Sequence, residues 1–499
     1  MNNIHPCSNS LIEKFERILI SIKTKSVMMN AKYLLGIGLL MTSSQLVEAS
    51  NKSKQIKPNI IYILADDLGY GDLGCYGQEA IKTPNLDQLA AEGMKFTQHY
   101  SGSTVCAPSR TALMTGLHMG HAYIRSNGKG LQLRNDPMDL TIGRYMKDAG
   151  YKTAMIGKAC TGCDNTVGHV NEKGFDHFYG YQGHAQAHAY FPKFMHRNSE
   201  QIDFPENGGS KTWRGETYSP DLILKEALDY IEDKKDDPFF MIYSSTLPHA
   251  QMWVPEEFEK QYIGQFEEKP FGGKGKMRHY GNTKRPNATT AGMITRLDWE
   301  IGKILKQLKE QGLEDNTIIM FSSDNGPHKE GGRVPAFFKS SGPFRGIKRD
   351  LYEGGIRMPF IVKWPGVVKA GSTSDHISAF WDILPTLTDI AGVEAPKGID
   401  GVSLVPTLKG KLKKQKEHDY MYWEFIQGSV GKRALRKGDW KLLQFTNLKT
   451  KDVTYELYNL KEDIGEKNNI VEKETAHFEA LKELLLNAYT TAALERNRF

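Results

Sequence analysis

The 499-residue chain is 39% hydrophobic and 25% charged, enough to bury a large core and, at this length, to build two domains. No repeat, collagenous period or low-complexity tract is present, and a formal net charge of +6 is too mild to point to a nucleic-acid partner.

The first 49 residues read as a leader. Lys32 precedes the apolar run Tyr33-Leu34-Leu35-Gly36-Ile37-Gly38-Leu39-Leu40-Met41, and a polar stretch ends in the small-residue pattern Val47-Glu48-Ala49. The run is short of the roughly 20 apolar residues that span a bilayer, so the expectation is export to the periplasm or medium with no stable membrane span. Met28 or Met29 is a more usual start for such a signal than Met1.

Residues 59–65 form a continuous apolar run, the pattern of a strand buried on both faces of a parallel sheet, and they deliver Asp66-Asp67 at its C-terminal end. Ligands collect at that edge of open α/β sheets. Residues 83–93 read as a helix. In 104–116, Pro108 suits a first helical turn, Ala112, Leu113 and Met114 favour helix, and Gly116 is a stop. Cys106 is therefore expected just ahead of a helix N-terminus, where unpaired N–H groups favour an anion, with Arg110 within about one turn.

Further along, 140–149 reads as a helix and 152–156 as a strand ending at Gly157-Lys158. Residues 168–198, rich in Gly, His and aromatics, read as a long structured loop of the kind that carries binding function. A helix over 220–232 precedes a strand over 238–244 that ends in Leu247-Pro248-His249. An exposed basic loop over 267–287 leads to a helix over 293–308. A strand over 317–323 delivers Asp324-Asn325, and 360–362 is a further strand.

Alternating strands and helices predict a doubly wound α/β domain over 55–410. After the basic linker 409–416, close-set strands at 420–425, 433–435, 440–445 and 455–459 and a helix over 472–489 predict a small antiparallel α+β unit over 411–499. Cys160 and Cys163 form a local disulfide or remain two thiols; no second pair completes a zinc cage.

Four strand ends thus supply Asp66-Asp67, Lys158, His249 and Asp324-Asn325 to one sheet edge. The oxygen donors suit calcium, or magnesium, rather than a soft metal. Cys106-Ala107-Pro108-Ser109-Arg110 with its tail Thr111-Ala112-Leu113-Met114-Thr115-Gly116 resembles the signature of the type I sulfatases, and the similarity runs from about residue 59 to 366.

The resemblance implies an alkaline phosphatase-like fold and a nucleophile made by converting Cys106 to formylglycine, which requires a formylglycine-generating partner enzyme. It also implies one calcium held by Asp66, Asp67, Asp324, Asn325 and the modified Cys106. Gly346-Ile347-Lys348 with Glu353-Gly354-Gly355 resembles the element that places Lys348 at the sulfate, while Arg110, Lys158 and His249 match the remaining catalytic positions. Many members place an aromatic and a His after the Gly-Lys pair. Here Ala159-Cys160 stand there, so either another base serves, with His169, His184 and His188 nearby in sequence, or the step relies on His249 and Lys158.

The expected substrate is a sulfated carbohydrate cleaved in exo fashion. The aromatic loop at 175–191 and the basic loop at 269–285 suit a sugar, and His328 and Arg333 are expected to reach its ring. A faint resemblance of 324–332 suggests a galactose-type 4-sulfate. The alternative is a phosphonate monoester or phosphodiester hydrolase of the same superfamily.

Overall fold

The computed structural model describes Arg17 and residues 57–128, 130–136, 139–159, 162, 166–272 and 280–499. The expected leader (apart from Arg17), Cys160, Cys163 and the centre of the basic loop fall outside them.

Strand β1 (Asn59–Ala65) is buried along its whole length. It is followed by helix α1 (Pro84–Glu92), β2 (Met94–Tyr100), α2 (Cys106–Thr115), α3 (Ile142–Asp148) and β3 (Lys152–Lys158). Next come β4 (His177–Tyr181), β5 (Phe194–Arg197), β6 (Glu200–Asp203), α4 (Ser219–Asp233), β7 (Phe239–Ser244), α5 (Glu256–Glu259), α6 (Pro286–Glu310) and β8 (Thr317–Ser323). The order continues with α7 (Glu353–Ile356), β9 (Arg357–Lys363), β10 (Ser372–Ser374), β11 (Ser378–Ala379), α8 (Ile383–Ala391) and α9 (Val405–Leu408). The chain ends with β12 (Met421–Gln427), β13 (Val430–Lys437), β14 (Trp440–Asn447), β15 (Val453–Asn459) and α10 (Thr475–Asn487).

The large sheet runs β10-β2-β9-β8-β1-β7-β3-β4-β5-β6, with β11 also paired to β2. Its centre is parallel: β1 lies between β7 and β8, and β3 between β7 and β4. The β2–β9, β8–β9, β4–β5 and β5–β6 pairs are antiparallel. Side chains of β1 alternate between two cores, as period 2 requires. Ile61 and Ile63 join the cluster with Ile223 of α4 and Ile294 and Leu297 of α6. Ile60, Tyr62 and Leu64 join Met146 of α3 and Leu387 of α8. Helices therefore cover both faces, which is why β1 carries no polar alternation.

Residues 168–198 are not the single loop expected. They contain β4, which extends the parallel sheet from β3, and β5. Phe175, Tyr179, Tyr181, Tyr190 and Phe191 are all buried. Phe175 fills the core on one face of the sheet and the other four fill the core on the opposite face, rather than facing a sugar.

The small sheet has the order β12-β13-β14-β15 and is antiparallel throughout. Its first two hairpins close through Gly428-Ser429 and Gly438-Asp439, with Gly428 and Gly438 at φ 61° and 56°. One face packs on α10 through Leu435, Leu442, Leu481 and Leu485. The other meets the large domain through Trp423, Ala434, Tyr100 and Trp381. Pro58–Phe499 forms one compact unit.

Candidate active site

The parallel register brings the C-terminal ends of β1, β3, β7 and β8 together. The Asp66 N–H donates to Leu247 O beyond β7 at 3.0 Å. Asp67 N–H donates to Asp324 Oδ1 at 3.0 Å, and Leu68 N–H to Ser323 Oγ at 2.9 Å. These bonds hold Asp67 at φ 66°, a left-handed conformation that Asp tolerates better than most residues. Gly157, at φ 112° in β3, lets that strand approach β7; a Cβ there would lie 1.9 Å from Ser244 O.

Three buried carboxylates face three buried cations. Lys158 Nζ is 2.6 Å from Asp66 Oδ2. Lys348 Nζ bridges both oxygens of Asp67, at 2.8 and 2.7 Å. Arg110 places Nε at 2.9 Å and a terminal nitrogen at 2.8 Å from Asp324 Oδ2. It also donates to Lys158 O and Ser244 Oγ, so this one side chain ties the ends of β3, β7 and β8.

Two oxygens among these groups, Asp66 Oδ1 and Asn325 Oδ1, are buried without a hydrogen-bond partner. Asn325 donates through Nδ2 to Asp67 Oδ1 at 2.6 Å and to Gly326 O at 3.0 Å, which leaves Oδ1 as its unsatisfied end. Burial pushes the Asp66 carboxyl well above its ordinary range, and Asp324 and Asp67 add to this; Lys158 opposes it. Burial also acts to raise Asp67, but Lys348 and His249 hold it well below the usual range. Orphaned hard oxygens beside crowded carboxylates fit a divalent cation, with Asp66, Asp67, Asp324 and Asn325 as its donors. Because the carboxylates are already balanced by Arg110, Lys158 and Lys348, such an ion would leave net positive charge for an anionic ester.

Cys106 is the first residue of α2, not the residue ahead of it; Val105 is the extended N-cap. Ala107 N–H is taken by Asn127 Oδ1 at 3.1 Å, and Pro108 has none. The helix mouth is thus partly capped by protein. Lys348 adds side-chain positive charge there, since it interacts electrostatically with both Asp67 and Cys106.

His249 Nδ1 bonds to Ala250 O, so Nε2 is the nitrogen free to exchange a proton; it lies 3.4 Å from Asp67 Oδ2. Burial lowers His249 well below the ordinary histidine value, against the pull of Asp67. The ring of His188 lies 4.2 Å from that of His249, and its Nδ1 is 3.1 Å from Tyr280 Oη. Burial lowers His188 to about 3, and Lys158 and Lys348 add to this. Burial likewise lowers His184, opposed by Cys106. Of the three candidate bases, His184 and His188 therefore share the site's electrostatics, whereas His169 packs on Phe178 and accepts Asn171 N–H.

His328 and Arg333 are turned inward. His328 Nε2 bonds to Pro248 O at 3.1 Å, and its Nδ1 accepts Glu330 N–H at 3.0 Å. Arg333 donates to Asp67 O at 3.0 Å and pairs with Asp72 Oδ2 at 2.7 Å. They brace the turns carrying His249 and Asp67. Asp72 and Asn127 are site-supporting residues that sequence reading missed; neither sits in a motif or at a predicted strand end.

A second His-rich group lies elsewhere: His118, His121 and Asp400 converge within 4.8 Å. His118 Nδ1 accepts Gly120 N–H at 3.0 Å, so Nε2 carries the proton and faces Asp400 as a donor. That tautomer is the wrong one for ligation, because a ligating imidazole donates from its other nitrogen.

A family model described as Sulfatase matches residues 58–393, and one described as N-sulphoglucosamine sulphohydrolase, C-terminal, matches residues 345–490. The chain is 30% identical over 450 residues to human steryl-sulfatase, covering 73% of this chain and 72% of the relative. It is 29% identical over 530 residues to the N-acetylgalactosamine-6-O-sulfatase of Bacteroides thetaiotaomicron, covering 91% and 98%. Among solved structures, Ps i-CgsB in complex with k-i-k-neocarrahexaose aligns with a TM-score of 0.71 at 26% identity, over 87% of this chain and 92% of that one. A protein solved with its substrate D-glucosamine-2-N,6-O-disulfate aligns with a TM-score of 0.64 at 25% identity, over 87% and 96%. The architecture is alkaline phosphatase-like.

Proposed function

The chain belongs to the sulfatase family and is a sulfuric ester hydrolase; on that premise we propose that it removes sulfate from sulfated saccharides, using residue 106 as formylglycine and a bound calcium. The observation that carries this reading is the balanced charge cluster at the sheet edge, which becomes an anion site when a divalent ion joins it. A sulfated-sugar substrate is supported by the names of its bacterial relative and of the two sugar-bound structures.

Asp66, Asp67, Asp324 and Asn325 would hold the ion, with the modified residue 106 completing the set; magnesium has the same oxygen preference. When bound, the ion supplies Lewis acidity toward sulfate and toward the hydroxyls of residue 106. Lys158 and Lys348 orient the sulfate oxygens, and Arg110 holds the strand ends that carry them. One hydroxyl of the hydrated aldehyde attacks sulfur, its proton passing to solvent, and the bond from sulfur to the sugar oxygen breaks. That oxygen takes a proton from His249 Nε2. Burial acts against the charged imidazole and Asp67 favours it, and the negative charge of the ester beside the ring adds to the pull of Asp67. The second hydroxyl then loses its proton to solvent and the carbon–oxygen bond to sulfate breaks, regenerating the aldehyde, which water hydrates again. A serine ester has no such elimination route.

The maturing partner is the enzyme that converts Cys106. Export is supported by the apolar run at 33–41 and the small-residue pattern that follows it. Among the described residues no helix is long and apolar enough to cross a membrane.

The test is sulfate release from a panel of 4- and 6-sulfated galactose, N-acetylgalactosamine and glucosamine saccharides, beside aryl sulfate and aryl phosphonate. Both positions belong in the panel, because 324–332 suggests the former and the N-acetylgalactosamine-6-O-sulfatase relative is named for the latter. Efficient turnover of at least one sulfated sugar is expected. Turnover of aryl phosphonate with no sulfated sugar would replace this reading with the phosphonate hydrolase.

A further inference from the structure

Asn127 is exposed, yet its side chain touches the nucleophile position. Its amide has one possible orientation, because a backbone N–H can only donate: Oδ1 accepts Ala107 N–H at 3.1 Å. Nδ2 is thereby aimed at residue 106, 3.5 Å from Cys106 Sγ, while Oδ1 stands farther off at 3.8 Å.

The loop carrying Asn127 is fastened by a distant segment. Ser126 Oγ donates to Asn497 Oδ1 at 2.6 Å. Arg125 donates to Thr490 O and to Glu424 Oε1, each at 3.0 Å. Leu494 packs with Ala107, Ile124 and Leu133 directly under the start of α2. An exposed side chain held this way is placed by its backbone rather than by burial.

We propose that Asn127 is a positioning residue for the nucleophile: Nδ2 donates a hydrogen bond to an oxygen of the modified residue 106 and fixes which oxygen faces sulfur. The sulfur seen here stands in for those oxygens, which are better acceptors. The proposal rests on the formylglycine reading above. It gives the segment 490–499 a catalytic consequence, since that segment supports the loop.

The discriminating variant is Asn127→Asp. It keeps the acceptor that caps Ala107 N–H but replaces the donor with a negatively charged oxygen, so a fall in kcat supports the proposal only when the uncharged Asn127→Ala falls with it. Asn127→Ala removes both groups. Each protein is assayed on the best sulfated substrate, with rates expressed per aldehyde-bearing molecule by intact mass and with thermal midpoints recorded. We expect kcat to fall about ten- to a hundredfold in both variants, with KM of Asn127→Ala within about twofold of the parent. Asn127→Asp retaining about half or more of the parental kcat overturns the proposal, even if its KM rises. A parent that lacks both aldehyde and sulfate turnover overturns the formylglycine reading and this proposal together.

Discussion

Arg110 and Asp324 form a buried pair in which Nε and a terminal guanidinium nitrogen lie 2.9 and 2.8 Å from the same carboxylate oxygen. The pair joins helix α2, which begins at the proposed nucleophile, to the strand end that carries two of the proposed metal ligands. Removing one partner of such a pair strands a charge in the interior, at a cost of about 3–5 kcal/mol. Arg110→Ala should therefore lower the chemical-denaturation midpoint as well as abolish turnover. Arg110→Lys should restore stability only in part, since an ammonium cannot span Asp324, Lys158 O and Ser244 in one geometry. A fully stable Arg110→Ala protein would show that the pair does not organise the strand ends.

Metal removal is the next expected outcome. The donors are oxygens, two of them buried without a hydrogen-bond partner, so chelation should abolish sulfate release and lower thermal stability. Calcium or magnesium should restore both. Asp324→Ala should be worse than Asn325→Ala, because it also unpairs Arg110. Restoration by zinc alone would contradict the ligand assignment.

A pH effect is expected at the contact between the small sheet and the large domain. Glu466 is buried against Lys441, 2.9 Å away, and accepts Glu353 N–H at 2.7 Å. Burial pushes its carboxyl up to about 7, opposed by Lys441. A carboxyl raised on folding stabilises the fold below its unfolded value of 4.5 and loses that contribution as pH rises through about 7. Relative to Glu466→Gln, the parent should therefore lose stability between pH 4.5 and 7, by an amount on the order of a few kcal/mol. Parallel stability curves for the two proteins over that range would refute the assignment.

The strands that end at functional residues were readable in advance because burial on both faces makes them unbroken apolar runs. Thr317–Ser323 is the clearest, with both boundaries as expected. Strand β2 escaped because its sequence, Met-Lys-Phe-Thr-Gln-His-Tyr, mixes polar and apolar positions between β9 and the short β10. Strand β4 escaped because glycine and aromatics in His177–Tyr181 read as loop composition. Of the site, Asp66, Asp67, Asp324 and Asn325 were legible as donors at strand ends. The inward turn of His328 and Arg333 was not, since proximity in sequence to a ligand does not fix the direction of a side chain. Asn127 was invisible for a related reason: its role arises from a loop folded back onto a helix start twenty residues earlier.

The proposed chemistry requires residue 106 to work as an aldehyde hydrate, and the mass of the proteolytic peptide that contains it tests this. Protein made together with a formylglycine-generating enzyme should give a peptide that has lost the elements of hydrogen sulfide and gained one oxygen, and sulfate turnover should scale with that fraction. Full turnover from protein whose residue 106 retains the intact thiol would contradict the account.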